Sequence, residues 1–174
     1  MNAKVGRSFE ETYERLAPAV YRYLRRLTNS RVQAEDLLQE TFFKLHLADE
    51  QGTEFENVRA WVFRVATNLA RSRGRAEQRA SLREGKFQPE QRIADFERDL
   101  GERQAIRRAL IQLPPRMRQV LLLFSEGFSY REIAEIVGAE VEYVGVLLQR
   151  ARASFRRHYE ERNDHGTQDI TKLR

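Results

Sequence analysis

Apolar residues in this chain of 174 residues recur at the helical period in two separate blocks, and nowhere do they alternate as a half-buried strand requires. The first block runs through Phe9, Tyr13, Leu16, Val20, Leu24 and Leu27. It continues through Ala34, Leu37, Leu38, Thr41, Phe42 and Leu45, then Val58, Trp61, Val62, Val65 and Leu69. The second block carries Ile106, Ala109, Leu110 and Leu113, then Met117, Val120, Leu121 and Phe124. Ile133, Ala134 and Val137 follow, and finally Val144, Leu148, Ala151 and Phe155. A helix striped in this way is stable in water only when its apolar face is covered by another. The expected fold is therefore all-α, with two small helical domains, a three-helix bundle and a four-helix unit, joined by a flexible linker.

The punctuation between stripes sets the boundaries. Ser30 with Gln33, and Ser129 with Glu132, have the spacing of capping boxes that start helices. Pro18 is expected to kink the first helix or mark a restart, Pro114 and Pro115 to end one helix, and Gly138 to supply a left-handed cap. Between the blocks, from about Ser72, the periodicity fades into polar sequence with Gly74, Gly85 and Pro89. The predicted layout is residues 1–79 as the first domain, 80–101 as linker, 102–158 as the second domain and 159–174 as a polar, disordered tail. Within the linker Ile93 and Phe96 are available to dock.

Composition removes several function classes. The chain has no cysteine, which excludes disulfides, thiolate metal sites and a cysteine nucleophile. Its longest apolar run, Val120 to Phe124, is far shorter than the roughly 18 residues of a membrane span, and no signal-peptide stretch opens the sequence. No membrane insertion and a cytoplasmic location are expected. The formal charge is +5, and nearly all the cations are arginine, the side chain suited to bidentate contact with phosphate and guanine.

Three groups of residues carry candidate chemistry. Tyr130 to Phe155 has a short capped helix, a turn at Gly138 and a longer helix, which is the spacing of a helix-turn-helix; a plain helical hairpin is the alternative. With Val144, Leu148, Ala151 and Phe155 buried, Glu142, Val146, Gln149, Arg150, Ala153 and Arg157 face outward, and Arg152 and Arg156 flank them within reach of phosphates. In the third helix Arg64, Asn68, Arg71 and Arg75 make one basic stripe, with Trp61 at its border. The stripe is either a solvated face or a nucleic-acid site, and Trp61 either packs inward or stacks on an unpaired base. The second helix carries Glu35, Asp36 and Glu40 among Leu37, Leu38 and Gln39. Acids near a helix start complement its dipole, and His46, His158 and His165 do not pair with them at close helical spacing, so no catalytic or metal site is expected and no cofactor is implied.

In combination the segments resemble a known family. AEDLLQETFFKL (Ala34 to Leu45) and VRAWVFRVATNLARSRGR (Val58 to Arg75) resemble region two of bacterial sigma factors. ALIQLPPRMRQVLLLFSEGFSYREIAEIVGAEVEYVGVLLQRARASFR (Ala109 to Arg156) resembles region four. The missing domain between them points to the extracytoplasmic-function group. The resemblance implies a non-enzymatic subunit that binds core RNA polymerase and promoter DNA, assists initiation and is held by an anti-sigma factor. It implies that Glu35, Asp36, Leu38, Gln39 and Glu40 dock on the polymerase clamp, and that Trp61, Arg64, Asn68, Arg71 and Arg75 meet the opening minus-ten element. The loop from Asp49 to Asn57 is implied to hold a flipped base. Tyr130, Arg131, Glu142, Gln149, Arg150, Arg152, Arg156 and Arg157 are implied to bind the minus-thirty-five element. In the holoenzyme the protein would sit on the nucleoid.

The recognition helix departs from the family, whose members commonly have threonine, valine, lysine and serine where this chain has Tyr143, Val144, Gly145 and Val146. Either readout leans on Gln149, Arg150 and phosphate contacts, or Tyr143 and Val146 belong to a protein-facing surface. Two rival functions follow from the residues alone. One is a helix-turn-helix regulator whose N-terminal bundle senses a signal or dimerises. The other is a helical hydrolase using Glu35, Asp36 and Glu40 with a divalent metal, against which the chain lacks repeated carboxylate pairs on facing helices.

Overall fold

The computed structural model describes residues 9–83 and 101–168. The order is α1 (Phe9–Thr28), α2 (Arg31–Glu50), α3 (Val58–Arg83), α4 (Glu102–Gln112), α5 (Pro115–Ser125), α6 (Tyr130–Val137) and α7 (Val141–Gln168). The all-helical architecture follows from the stripes: Leu16, Val20 and Leu24 of α1, Leu37 and Leu45 of α2, and Val62, Phe63 and Ala66 of α3 are buried together. Each large aliphatic side chain removed from water in this way contributes about 1.5–3 kcal/mol. The second group of helices closes in the same manner around Leu113, Leu123, Ile133, Ile136 and Leu148.

Helix ends obey their caps, with four corrections. Pro18 lies inside α1 without interrupting it, its ring exposed on the outer face. At Ser30 only half the expected box forms: its hydroxyl accepts from the Gln33 amide N–H, while the Gln33 side chain donates instead to Glu77 Oε1 at 2.6 Å. The backbone of α3 stays helical to Arg83, beyond its last packed turn, because the arginines, alanines, Glu77 and Gln78 there are strong helix formers. The remainder of the expected linker, including Ile93 and Phe96, lies outside the described residues. Likewise α7 runs on to Gln168 through most of the stretch expected to be disordered, and 169–174 lie outside the described residues. Pro115 occupies the first turn of α5, where its missing N–H costs nothing.

The two groups of helices pack on each other, with α6 against α3 and both α4 and α5 against α1. Phe128, in the turn before α6, is buried edge-to-face on Phe63 of α3, ring centroids 4.8 Å apart. The Arg59 guanidinium lies 4.0 Å from the Phe128 ring centroid and donates to the Glu126 carbonyl. Arg118 of α5 is buried and donates from Nη1 to the Leu27 carbonyl at 3.0 Å and from Nη2 to the Leu113 carbonyl at 3.1 Å. Arg107 of α4 donates to both the side chain and the carbonyl of Asn29, whose left-handed backbone (φ 58°) turns α1 into α2. Arginine fits these places because its fork can reach several carbonyls at once.

Candidate nucleic-acid interface

The helix-turn-helix geometry is built from local rules. Ser129 caps α6 and Glu132 closes the box, accepting from the Ser129 backbone N–H at 2.8 Å and from its hydroxyl at 2.7 Å. Those bonds, led by the backbone N–H, hold the Glu132 carboxyl below the usual carboxylate range. Gly138 ends α6 in the left-handed conformation (φ 64°), which glycine enters without a Cβ penalty. Val144, Leu147, Leu148 and Ala151 then bury the inner face of α7 against α5, α4 and α6.

The outer face of α7 lies where its periodicity places it: Glu142, Val146, Gln149, Arg150, Ala153 and Arg157 are exposed, as are Arg152 and Arg156. Along one flank, Tyr130, Gly145, Leu148, Gln149, Arg152 and Arg156 help line a groove of about 320 Å³. The Tyr130 ring lies against Gly145, and the Arg152 guanidinium lies 4.6 Å from the Phe124 ring centroid. Arg131 is exposed at the start of α6.

On α3, Arg64, Asn68 and Arg75 are exposed, whereas Arg71 is half-buried and donates to the Val137 carbonyl of α6 at 3.2 Å. Burial, with Arg116 and Arg75 nearby, lowers the Arg71 pKa from its ordinary value. Trp61 is half-buried, its ring edge-to-face with Phe55 at 5.0 Å. Asn57, at the end of the 49–57 loop, caps α3 by accepting from the Ala60 N–H at 2.9 Å and donates to Glu132 Oε1 at 3.0 Å. The stripe thus meets the helix-turn-helix at Arg71, and the loop before α3 meets it at Asn57.

On α2, Asp36, Gln39 and Glu40 are exposed, and Glu35 and Leu38 are half-buried. Glu35 pairs with Arg31 at 2.9 Å and Asp36 with Arg73 at 3.2 Å, both near the surface. Among the described residues no group of three histidines or acids is placed to hold a metal ion, and no helix is long and apolar enough to cross a membrane.

Comparison with known proteins matches the sigma-70 region 2 family to residues 12–80 and the sigma-70 region 4 family to residues 103–155. The sigma factor CarQ of Myxococcus xanthus is 33% identical over 138 residues, covering 75% of this chain and 77% of CarQ. The sigma factor YlaC of Bacillus subtilis is 30% identical over 165 residues, covering 87% and 91% respectively. The chain belongs to the extracytoplasmic-function sigma factors of the sigma-70 family. SigE, an ECF sigma factor of Mycolicibacterium smegmatis, is 33% identical over 162 residues, 86% of this chain and 60% of SigE. The chain thus spans less than two thirds of SigE, and 42% of SigG of Mycobacterium tuberculosis. The sigma factor RpoE of Bartonella quintana, solved with its anti-sigma factor NepR, superposes with a TM-score of 0.73 at 25% identity, covering 87% of this chain and 96% of RpoE. Sigma factors of this family are non-enzymatic initiation factors.

In this sigma factor the structure adds residues that periodicity did not single out. Val32, Phe43 and Leu47 are exposed on α2, on the same side as Asp36, Gln39 and Glu40, so the acidic face is also apolar. Their helical spacing from Asp36 and Gln39 was the available signal. Arg59, Arg107, Arg118 and Phe128 join the two sigma regions. An arginine at position 118, among the apolar residues Met117, Val120 and Leu121, was the one hint in sequence.

Proposed function

We propose that this chain directs core RNA polymerase to specific promoters and assists initiation, itself contributing no catalysis. The observation that carries the proposal is the pairing of a region 2 match with a region 4 match, on helical groups that leave Asp36, Gln39 and Glu40 of α2 and the outer face of α7 exposed. On α2, the exposed face of Asp36, Gln39, Glu40 and Phe43, with half-buried Glu35 and Leu38 towards the core side, docks on the polymerase. Arg64, Asn68, Arg71 and Arg75, with Trp61, meet the minus-ten element as it opens, and the 49–57 loop receives a flipped base. Tyr130, Arg131, Glu142, Gln149, Arg150, Arg152, Arg156 and Arg157 bind the minus-thirty-five element, combining base edges with phosphates. The five arginines make that binding fall steeply with salt. Residues 1–79, 80–101, 102–158 and 159–174 serve as polymerase-binding domain, linker, upstream-element domain and tail. An anti-sigma factor, of which NepR on RpoE is an example, holds the chain inactive in the cytoplasm until release, after which it joins the nucleoid with polymerase.

A stand-alone helix-turn-helix regulator is not favoured, because the region 2 match accounts for the N-terminal bundle. Run-off transcription with purified core polymerase on genomic fragments tests the proposal. Discrete transcripts that depend on this chain support it; unchanged transcription and no binding to core polymerase overturn it.

A further inference from the structure

On the outward face of α7, Glu142, Gln149 and Arg150 and the exposed ring of Tyr143 stand around a hydrocarbon, Val146, that is 40% exposed. The fold gives it no packing task, since Val144, Leu147 and Leu148 already fill the core beneath this turn. Helix propensity does not favour it either, because a β-branched side chain loses rotamer freedom there. Beside it, position 145 carries no side chain, and the Tyr130 ring lies against its backbone. Exposed Arg150, Arg152, Arg156 and Arg157 surround this face, which suits a polyanion. In a duplex major groove the base edges are polar except for one group, the C5 methyl of thymine.

We propose that Val146 is a specificity-determining residue that packs on a thymine C5 methyl in the upstream promoter element. The assignment rests on α7 being the duplex-reading helix, as proposed above. It also sets a register. Val146 and Arg150 are four residues apart, about 6 Å along the axis, and base pairs rise by about 3.4 Å. With the helix lying along the groove, the thymine sits one or two base pairs from the pair read by Arg150.

The test uses holoenzyme assembled from the full chain and core polymerase. Duplexes are selected by the wild-type holoenzyme from a pool with a randomised upstream block, and each thymidine is then replaced singly by deoxyuridine, which removes only the methyl. The wild type is expected to lose about fourfold in affinity at one position, the value of one buried methyl-sized group. Val146→Ala, at an exposed site and with a better helix former, keeps its helical circular dichroism and binds the thymidine and deoxyuridine duplexes equally. The sensitive position falls one or two pairs from the one whose preference Arg150→Ala abolishes. The proposal is overturned if no thymidine is sensitive, if Val146→Ala retains the same deoxyuridine penalty, or if it weakens core-polymerase binding while leaving duplex affinity unchanged, which makes the face a protein interface. A wild-type holoenzyme that selects no duplex at all overturns the promoter-reading function itself.

Discussion

At the scale of single residues, the first bundle is pinned by a hydroxyl pair whose proton order follows from counting donors. Thr67 gives its one proton to the Phe63 carbonyl at 2.7 Å, so the buried Tyr23 hydroxyl, 2.8 Å from Thr67 Oγ1, must be the donor between them. The two partners are therefore unequal. Tyr23→Phe removes one net hydrogen bond, about 1 kcal/mol, whereas Thr67→Val strands a buried donor at about 1–3 kcal/mol. In urea denaturation Thr67→Val is expected to cost more, and the double mutant less than the two costs together; the reverse order would falsify the proton assignment. Burial also pushes the Tyr23 phenol well above its ordinary value of 10.0. A folded-state pKa raised above the unfolded one gives stability that is complete below about pH 10 and drains as pH rises past it. Tyr23→Phe should flatten that alkaline loss. At Ser129 the sign is opposite: Glu132 is depressed, so the cap is complete above the ordinary carboxylate range and weakens as pH falls through the folded value. Glu132→Gln should remove this acid dependence of the melting temperature, and an unaltered pH profile would show that the carboxylate is not what closes the cap.

At the scale of elements, α2 has two working faces. Ala34, Leu37, Thr41, Phe42 and Leu45 hold it in the bundle, so the opposite side is free to carry Asp36, Gln39, Glu40 and Phe43 for another purpose. Replacing Asp36 and Gln39 together by alanine should leave helicity nearly intact, since both are exposed and the Asp36–Arg73 pair is worth at most about 1 kcal/mol. Core-polymerase binding should weaken about tenfold or more in a titration. Lost folding with unchanged affinity per folded molecule overturns the docking assignment. Much of this level was legible in sequence. The stripes named the helices, Ser129, Glu132 and Gly138 named the turn, and the spacing after Val144 named the face of α7 that lies in solvent. Periodicity reports which face of a helix is covered, not what covers it. That α5 lands on α1 and α6 on α3 depends on pairs such as Arg118 with Leu27, 91 residues apart, and on Phe128 in a turn with no stripe of its own. The Ser30 box misled for the same reason: Glu77, 44 residues away, competes for the Gln33 amide.

At the scale of the whole molecule, the packed arrangement and the proposed function make incompatible demands. The minus-ten and minus-thirty-five elements lie about 25 base pairs apart, or about 85 Å of duplex at about 3.4 Å per pair. A folded body of this length is only roughly 40 Å across. The stripe on α3 and the loop before it are moreover engaged by the helix-turn-helix, since Arg71 donates to the Val137 carbonyl and Asn57 to Glu132. To meet both elements, α1–α3 and α4–α7 must separate, and residues 84–100 can span at most about 60 Å when extended. The contact that must break includes the Phe63–Phe128 edge, the Arg59 and Phe128 stack, and the carbonyls held by Arg118 and Arg107, beside apolar residues that the two groups bury in one core. Because the chain has no cysteine, Glu14→Cys on α1 and Glu135→Cys on α6, both exposed, can be spin-labelled without background. Pulsed electron spin resonance should give one short distance in the free protein and a distance longer by at least about 20 Å after core polymerase is added. Arg59→Ala removes the cation–π contact and one hydrogen bond, about 1–2 kcal/mol together. That raises the open population of the free protein about five- to thirtyfold. If the short distance persisted in the promoter-bound holoenzyme, the two groups of helices would be acting as one body, and only one promoter element would be within their reach.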